Sequence, residues 1–381
     1  MRDCLLHLAD LHLGAPVSAR LQLLDPGLHQ AMQRSRDSLL SRLAAWIADP
    51  LSRVGLVLIA GDLFHTYRPE ADLASRARAA LAQIAAQVPV VTVPGNHDEY
   101  SYADGVYRQG AWPGILVKEA EPHEVWRGEL DEAGSWGVCS AAYVAGAVPP
   151  GSRLVFPPVD RRAVALAHAT LSDHFSGLAD RCFQLEHKQV ATAGYRYLAA
   201  GHIHKSQRWR HGDCEALYPG PPVGPSPSDP GSGSLALVEM RPNALRIQRV
   251  EEPELLGHRW LCRAVQVAPG EKPPQVAQRC LPLLADDPRQ IAVLSLEGSV
   301  DSEDFAAQMQ ARLLELGRTA VVEMADVILA PPPDLETLLQ EQTLAGEFAR
   351  AWRDWRRENK PHADYAARVL HEGLDALRQE G

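Results

Sequence analysis

The feature that most constrains the fold is a pattern repeated along the first two thirds of the chain: a short apolar run followed by Asp, Asn or His. Residues 54–60, VGLVLIA, show it most clearly, because Gly61 and Asp62 come directly after them. In open α/β sheets, the carboxyl ends of such strands form the crevice where ligands bind. The polar side chains that follow the five runs are Asp10 and His12, Asp62 and His65, Asn96 and His97, His168, and His202 and His204.

The stretches between the first runs have helical character. Asp25 followed by Pro26 is a typical helix start, and the apolar residues from Leu28 to Ile47 fit one helical face. A further helix is predicted over residues 70–86, and a later strand is predicted to end at His168. This alternation of strand and helix predicts an α/β fold with a sheet covered by helices.

The chain divides into three parts. Residues 1–257 carry the apolar runs, and residues 258–332 show a βαβαβ order that predicts a small α+β cap domain. Residues 333–381 are predicted to be a helical tail. Within the first part, the Pro/Gly/Ser-rich segment 218–234 is interpreted as a solvated surface linker.

Composition excludes several classes of protein. No run of about 18 apolar residues is present, so a membrane span is not expected. Asp10 and His12 interrupt the N-terminal apolar stretch, which argues against an export signal. The 6 cysteines include no CxxC pair, which favours a reducing, cytoplasmic location over a disulfide framework.

The charge gives no support for autonomous nucleic-acid binding. The chain carries 38 basic and 48 acidic residues, a formal net charge of −10, and no segment is a basic arm. If the substrate is a polyanion, bound metal ions or a partner must therefore supply much of the attraction.

The side chains at the strand ends offer oxygen and nitrogen ligands but no sulfur. That donor set suits Mn²⁺, Fe²⁺ or Zn²⁺ better than a structural Cys-zinc site. In the pairs Asp10/His12 and His202/His204, the strand period of two is expected to place both side chains on one side. Gly61, Gly95 and Gly201 are expected to let the backbone turn sharply beside the site.

Taken together and in this order, the motifs resemble those of the calcineurin-like metallophosphoesterase superfamily: D-x-H, G-D, G-N-H-D, H and G-H-x-H. More narrowly, HLADLHLG, GDLFH, VPGNHDE, GHIHKSQ and the later YPG are similar to the SbcD-type nuclease subunit of DNA double-strand-break repair. The matching motifs span roughly residues 4–221. The resemblance implies an αββα sandwich with a dinuclear metal site, most simply two Mn²⁺ ions, with Fe²⁺ or Zn²⁺ as alternatives.

The resemblance also implies roles for individual residues. His97 matches the family histidine that acts as general acid near the leaving group. His65 matches a histidine that the nuclease branch uses in substrate handling. One metal is expected to be bound by Asp10, His12, Asp62 and His204, and the other by Asp62, Asn96, His168 and His202, with Asp62 bridging.

Several neighbouring residues have two interpretations. His174 is the alternative to His168 as a ligand, and His7 is interpreted as a strand histidine rather than a ligand. Asp98 and Glu99 either orient ligands or cap a turn. Four basic residues line a phosphate path or are ordinary surface charge: Arg68, Arg108, Lys205 and Arg208.

The tail carries two apolar stripes at helical spacing. They either pack on the cap domain or dock on a partner, with aromatic anchors such as Trp352 and Trp355. The resemblance implies that partner to be an SMC-like coiled-coil ATPase, and family members also form homodimers.

The activity expected from the resemblance is metal-dependent hydrolysis of DNA phosphodiesters, as an exonuclease or endonuclease. The alternatives are a phosphodiesterase or phosphatase for small nucleotides, and a DNA-end-binding scaffold with weak catalysis.

Overall fold

The structure is a computed structural model that describes residues 2–160, 162–171, 181–242, 244–284, 287, 289–329, 335–360 and 362–379. Strands and helices are numbered along the chain. The chain forms two compact units, Met1–Trp260 and Leu261–Gly381.

The first unit contains two sheets. Each has a parallel centre, built from the apolar runs, and antiparallel pairs toward its edges. The six-stranded sheet has the order β14 (Leu245–Val250), β13 (Leu235–Met240), β1 (Cys4–Leu8), β2 (Val54–Ala60), β3 (Val90–Val93) and β4 (Ile115–Leu116). The eight-stranded sheet has the main order β11 (Gln207–His211), β12 (Cys214–Tyr218), β10 (Tyr197–Gly201), β8 (Ala163–Leu171), β6 (Gly134–Ser140) and β5 (His123–Leu130), with β7 (Arg153–Leu154) and β9 (Phe183–Leu185) beside β8.

Helices flank the two sheets. They are α1 (Ala19–Leu24), α2 (Pro26–Asp37), α3 (Leu39–Ala48), α4 (Ala71–Ala85), α5 (His187–Thr192) and α6 (Pro253–Leu256), with short 3₁₀ turns at Val106–Arg108 and Asp131–Ala133. Leu43 and Leu81 of α3 and α4 belong to a core on the outer face of the six-stranded sheet. A second core, which includes Leu58 and Leu166, lies between the two sheets. The predicted αββα sandwich is therefore confirmed.

Local details differ from the sequence expectations. Asp25 caps α2 as predicted, since its side chain accepts a hydrogen bond from the Leu28 amide at 2.9 Å. The single helix expected through Ile47 is wrong, because the chain breaks at Ser38 into α2 and α3. The strand expected to end at His168 continues to Leu171, since residues beyond His168 pair with β9.

The second unit has the predicted βαβαβ order. Its elements are β15 (Arg259–Val267), α7 (Pro273–Cys280), a 3₁₀ turn (Leu281–Leu283), β16 (Gln290–Val300), α8 (Phe305–Glu315) and β17 (Ala320–Leu329), and the sheet order is β15–β16–β17. Phe305 and Met309 of α8 are fully buried in the core of this unit.

The tail is helical, as predicted, and comprises α9 (Leu335–Gln340), α10 (Leu344–Asn359) and α11 (Ala363–Gln379). The two apolar stripes pack mainly on each other: Trp352 of α10 lies in one cluster with Leu370 and Leu374 of α11. The Trp352 indole donates a hydrogen bond to the carbonyl oxygen of Ala366 at 2.6 Å. Much of the expected docking surface is therefore used to hold the helices together.

Among the described residues, the helices are all too short or too polar to cross a lipid bilayer. Five of the six cysteines are buried, and no disulfide joins two described residues.

Candidate metal centre

The predicted site residues lie at or near the carboxyl ends of parallel strands of both sheets, with His168 inside β8 and the others in the loops that follow their strands. Strands β1, β2 and β3 are parallel neighbours in one sheet, and β8 and β10 are parallel neighbours in the other. Their carboxyl ends point the same way, so the loops after them meet at one edge of the sandwich. The loops after β1 and β2 are joined directly, because the amides of Asp10 and His12 donate to the carbonyl oxygens of Gly61 and Asp62 at 3.1 and 2.9 Å.

The structure brings together all seven residues predicted to bind metal. His12 Nε2 lies 3.0 Å from His204 Nε2 and 3.6 Å from Asp62 Oδ2. Asn96 Oδ1 lies 2.9 Å from His168 Nε2 and 3.1 Å from His202 Nδ1. Asp10 joins the two halves: its Oδ1 accepts from the His202 amide at 2.9 Å and lies 3.9 Å from His168 Nδ1.

The backbone at four of these residues is in the left-handed region. The φ angles are 55° at Asp10, 43° at His12, 49° at Asp62 and 106° at His202. Residues other than glycine rarely adopt such angles, and each instance costs about 1–3 kcal/mol. The expectation that the strand period aligns the pairs Asp10/His12 and His202/His204 is therefore wrong, since these residues lie beyond the strand ends on sharply turned backbone.

Three glycines leave room for these side chains. A Cβ at Gly95 would lie 2.0 Å from Asp62 Oδ1, and one at Gly61 would lie 2.1 Å from His168 Nδ1. A Cβ at Gly201 would lie 1.8 Å from the carbonyl oxygen of Ala60. Gly61 also has a φ of 87°, as a sharp turn requires, whereas Gly95 and Gly201 are needed for close approach.

The hydrogen bonds of His168 leave one of its ring nitrogens able to bind a cation. Its Nδ1 lies 2.9 Å from the carbonyl oxygen of Ala60, which can only accept, so Nδ1 carries the proton. Burial lowers the pKa of His168 to about 3, so the ring is neutral and Nε2 has a lone pair. That lone pair faces Asn96 Oδ1 and, at 3.5 Å, Asp62 Oδ2. Three electron-rich atoms so close together are stable when a cation lies between them.

The buried carboxylates lead to the same inference. Burial raises the pKa of both Asp10 and Asp62, and at Asp10 the charge of Asp62 raises it further. Within the described part of the chain, Asp10 Oδ2 and His12 Nδ1 are buried without a hydrogen-bond partner. Burial also lowers the pKa of His12 to about 2, so this ring is a neutral ligand. Two carboxylates, an amide oxygen and neutral imidazoles form a donor set that fits divalent cations.

Asp229 is a site residue that sequence analysis missed. Its carboxylate accepts a hydrogen bond from His204 Nδ1, which directs His204 Nε2 toward His12. Burial lowers the pKa of His204, but the Asp229 bond and the charge of Asp10 outweigh it, so the pKa is raised. A carboxylate that orients a histidine in this way is typical of metal sites.

The interpretation of segment 218–234 as a solvated linker is therefore wrong. Residues 219–224 are buried, and the segment folds on itself, with the Gly224 amide donating to the carbonyl oxygen of Pro230 at 3.1 Å. A Cβ at Gly220 would lie 2.1 Å from the carbonyl oxygen of His204. Asp229 is the one charged residue in this segment of the sequence, and that isolated carboxylate was the signal that could have identified it as a site residue.

His65 and His97 form a stacked pair beside the cluster. Their ring centroids are 5.2 Å apart, and the His97 ring lies 4.7 Å from that of His12. His97 is exposed and His65 half-buried. His97 Nδ1 donates to the carbonyl oxygen of His65 at 3.0 Å, which leaves His97 Nε2 available to a ligand. Burial, with a contribution from His97, lowers the pKa of His65.

Asp98 holds the loops that carry this pair. Its carboxylate accepts from the amides of Gly95 and Phe64 at 2.8 and 3.0 Å and from the Tyr107 hydroxyl at 2.7 Å. Burial, followed by the charge of Asp62, raises the pKa of Asp98 to about 7. Asp98 therefore caps the turn that begins at Gly95 and ties it to the loop after β2, which agrees with the turn-capping interpretation.

The remaining residues singled out in the sequence lie elsewhere. His7 is buried in β1, with its Nδ1 3.0 Å from the Tyr197 hydroxyl. Glu99 is buried and pairs with Arg181 at 2.8 Å. His174, the alternative ligand, lies outside the described residues.

The comparison with family models agrees with this geometry. The family model for calcineurin-like phosphoesterases matches residues 5–206, more than half of the chain. No curated protein matches.

Solved structures resemble the chain at low identity. A dimetal phosphatase from Danio rerio is 12% identical with a TM-score of 0.41, covering 65% of this chain and 96% of its own. Phosphopantetheinyl hydrolase from Mycobacterium tuberculosis is 12% identical with a TM-score of 0.31, covering 57% of this chain and 89% of its own. A predicted phosphoesterase from Streptococcus pneumoniae is 13% identical with a TM-score of 0.28, covering 65% and 98%.

The family match covers all five predicted motifs, from Asp10 to His204, and the structure gathers their side chains into one cluster. The chain belongs to the calcineurin-like phosphoesterases, a family of metal-dependent phosphoester hydrolases.

Proposed function

We propose that this chain is a metal-dependent DNA nuclease of the SbcD type, the catalytic half of an ATPase–nuclease assembly. The observation that carries the proposal is the stacked pair His65 and His97 at the open side of the metal-type cluster. A phosphodiester held by the cluster would lie within reach of both rings. The motifs GDLFH and VPGNHDE, which supply the pair, are those that resemble the nuclease branch.

The residues of the chain would divide the work as follows. Asp10, His12, Asp62 and His204 would hold one cation, and Asp62, Asn96, His168 and His202 the other. Two such ions would supply Lewis-acid polarisation of the phosphate and activation of a water molecule. His97, whose Nδ1 is fixed on the His65 carbonyl, would donate a proton from Nε2 to the leaving oxygen. His65, the other ring of the stacked pair, would contact the bound substrate beside His97.

The proposed metal is Mn²⁺, with Fe²⁺ and Zn²⁺ as alternatives. Every donor in the cluster is oxygen or imidazole nitrogen, which Mn²⁺ accepts readily. Asp229 supports a metal-binding role for the cluster without favouring one metal, because its carboxylate fixes the orientation of His204.

The test is Mn²⁺-dependent cleavage of a labelled DNA hairpin and of single-stranded DNA, compared with cyclic nucleotides. In the variant His97→Ala we expect turnover to fall by about 10²–10⁴, with the metal retained, because general acid catalysis is lost. The hairpin assay measures turnover, and elemental analysis measures the metal. Loss of metal in this variant would instead make His97 structural, and cleavage of cyclic nucleotides alone would refute the nuclease proposal.

A second candidate is a phosphodiesterase or phosphatase for small nucleotides. The formal net charge of −10 favours it, since a polyanionic strand is repelled by an acidic protein more strongly than a nucleotide is. The comparison of hairpin with cyclic nucleotides decides between the two.

We further propose that the C-terminal helices bind an SMC-like coiled-coil ATPase. Leu344 and Tyr365 are 66% and 58% exposed, so apolar surface remains on α10 and α11 after the stripes have packed. Deletion of residues 333–381 should abolish co-purification of the ATPase without impairing hydrolysis of a model phosphodiester. Retention of the ATPase by the truncated chain would contradict the proposal.

A further inference from the structure

A cleft opens directly beside the metal-type cluster. It has a volume of about 560 Å³, and His204 and Asp229 form the wall that it shares with the cluster. The other residues of the segment 228–232 form a second wall, and Lys205, Ser206 and Arg249 complete the lining. A ligand held at His204 therefore has a continuous path into this cleft.

The cleft lies between the edge strands of the two sheets. Lys205 and Ser206 connect β10 to β11, the edge of the eight-stranded sheet, and Arg249 belongs to β14, the edge of the six-stranded sheet. A second cleft, of about 320 Å³, shares Ser206 and Arg249 and adds Gln207, Arg208 and Ser234. The two clefts form one track that leads away from His204, with apolar side chains such as Leu217 and Ile247 in its lining beside the polar and basic ones.

The positive charge in this track is available to a ligand. Among the described residues, neither Lys205 nor Arg249 forms an ion pair, and both are exposed. The acidic residue in the wall, Asp229, is engaged by His204. In the second cleft, Arg208 is held by Glu215 at 2.9 Å.

The other basic residues that sequence analysis singled out are engaged elsewhere. Arg68 pairs with Asp104 at 2.9 Å. Arg108 donates to the carbonyl oxygen of Tyr100 at 2.8 Å and lies over the Tyr100 ring. Of the four candidates, Lys205 has the best placed free charge, and Arg249 is a partner that the sequence pattern did not reveal.

We propose that this track binds the sugar–phosphate backbone of a nucleic-acid strand on one side of the scissile phosphate, with Lys205 and Arg249 each contacting a phosphate. The inference rests on the proposed nuclease function and names how its substrate is held. Phosphate contacts of this kind position a strand without reading its sequence. They also supply local attraction that the net charge of −10 does not.

The test is the double variant Lys205→Gln/Arg249→Gln, assayed with Mn²⁺ on a single-stranded DNA decamer and on bis(p-nitrophenyl) phosphate. The decamer is long enough to enter the track, whereas the small diester is not. We expect kcat/KM on the decamer to fall about tenfold and its salt dependence to weaken by about 1.4 in log–log slope, roughly 0.7 per lost contact. Hydrolysis of the small diester should be unchanged.

The matched control is Lys188→Gln/Arg246→Gln, which removes the same charge from exposed positions outside both clefts. Equal losses of kcat/KM on the decamer in the two double variants, or no loss in the first, would refute binding of the strand in the track. Either result would leave the proposed nuclease function intact. A wild-type protein that hydrolyses the small diester but not DNA would overturn both proposals.

Discussion

At the scale of single residues, the site is built on strained backbone. Four predicted metal ligands have positive φ, and the fifth non-glycine residue of this kind among those described, Lys360, ends helix α10. Such angles persist where surrounding contacts over-determine them, as the paired loops of β1 and β2 do here. The predicted ligands are therefore held in place by the fold itself.

Gly95→Ala should weaken metal binding. Because its Cβ would lie 2.0 Å from Asp62 Oδ1 and 2.5 Å from the Asp62 backbone nitrogen, Asp62 must shift from its present position. The backbone of Gly95 is not in the left-handed region, so the effect would come from this contact. Isothermal titration with Mn²⁺ measures the loss, and unchanged affinity would show that Asp62 is not held as described.

Asp229→Asn should lower metal affinity about 10–100-fold, since His204 would lose the carboxylate that orients its ring. Metal content after dialysis at a series of Mn²⁺ concentrations measures this. Ser228→Ala, one residue away in the same segment, is the control and should bind metal normally. Equal affinities for wild type and Asp229→Asn would make the Asp229 contact incidental.

His7 should make the protein sensitive to acid. Burial lowers its native pKa to about 3, whereas an unfolded histidine titrates near ~6.5. Between these values only the unfolded chain takes up the proton. The stabilisation that the neutral, buried His7 ring provides is therefore complete above pH ~6.5 and declines as the pH falls. Relative to His7→Asn, the wild-type free energy of unfolding should drop by about 1.4 kcal/mol for each pH unit below ~6.5. Urea unfolding in EDTA at pH 7.5 and 5.5 measures it, and a pH-independent difference would contradict the assignment.

At the scale of elements, the hydrophobic pattern of the sequence predicted those strands and helices whose formation depends on neighbouring residues alone. The run 54–60 is strand β2 to the residue, and the helix predicted over 70–86 is α4. The break at Ser38 was missed because apolar periodicity continues across it. Segment 218–234 was misread because its burial depends on contacts with a distant loop, such as Gly220 against the His204 carbonyl.

The site was likewise predicted only where it depends on local sequence. The motif residues could be read from the sequence, because each follows an apolar run. The left-handed backbone, the Asp229 bond and the track through Arg249 could not, because they arise where segments far apart in the chain meet.

The tail helices offer a test at this scale. Gly373 of α11 faces Phe348 of α10 so closely that a Cβ would lie 2.0 Å from the ring. Gly373→Leu should destabilise the unit by about 1–3 kcal/mol through overpacking. Ala351→Leu, on the exposed side of α10, is the control and should have little effect. Thermal unfolding compares the two, and equal stabilities would contradict the packing described.

At the scale of the whole molecule, an acidic chain is proposed to act on a polyanion. The formal net charge of −10 opposes that encounter, so the attraction must be local. Two cations in the cluster and the basic track beside it would supply it. This predicts that nuclease activity falls steeply with added salt, whereas hydrolysis of a small diester does not.

The central claim is that one cluster holds two divalent cations that share Asp62. Its most direct test is the Mn²⁺ content of dialysed wild type and of Asp62→Asn, measured by elemental analysis with folding checked by thermal unfolding. The account predicts about two ions per chain in the wild type and loss of both in the folded variant. A folded variant that retains two tightly bound ions, or a wild type that binds none, would contradict it.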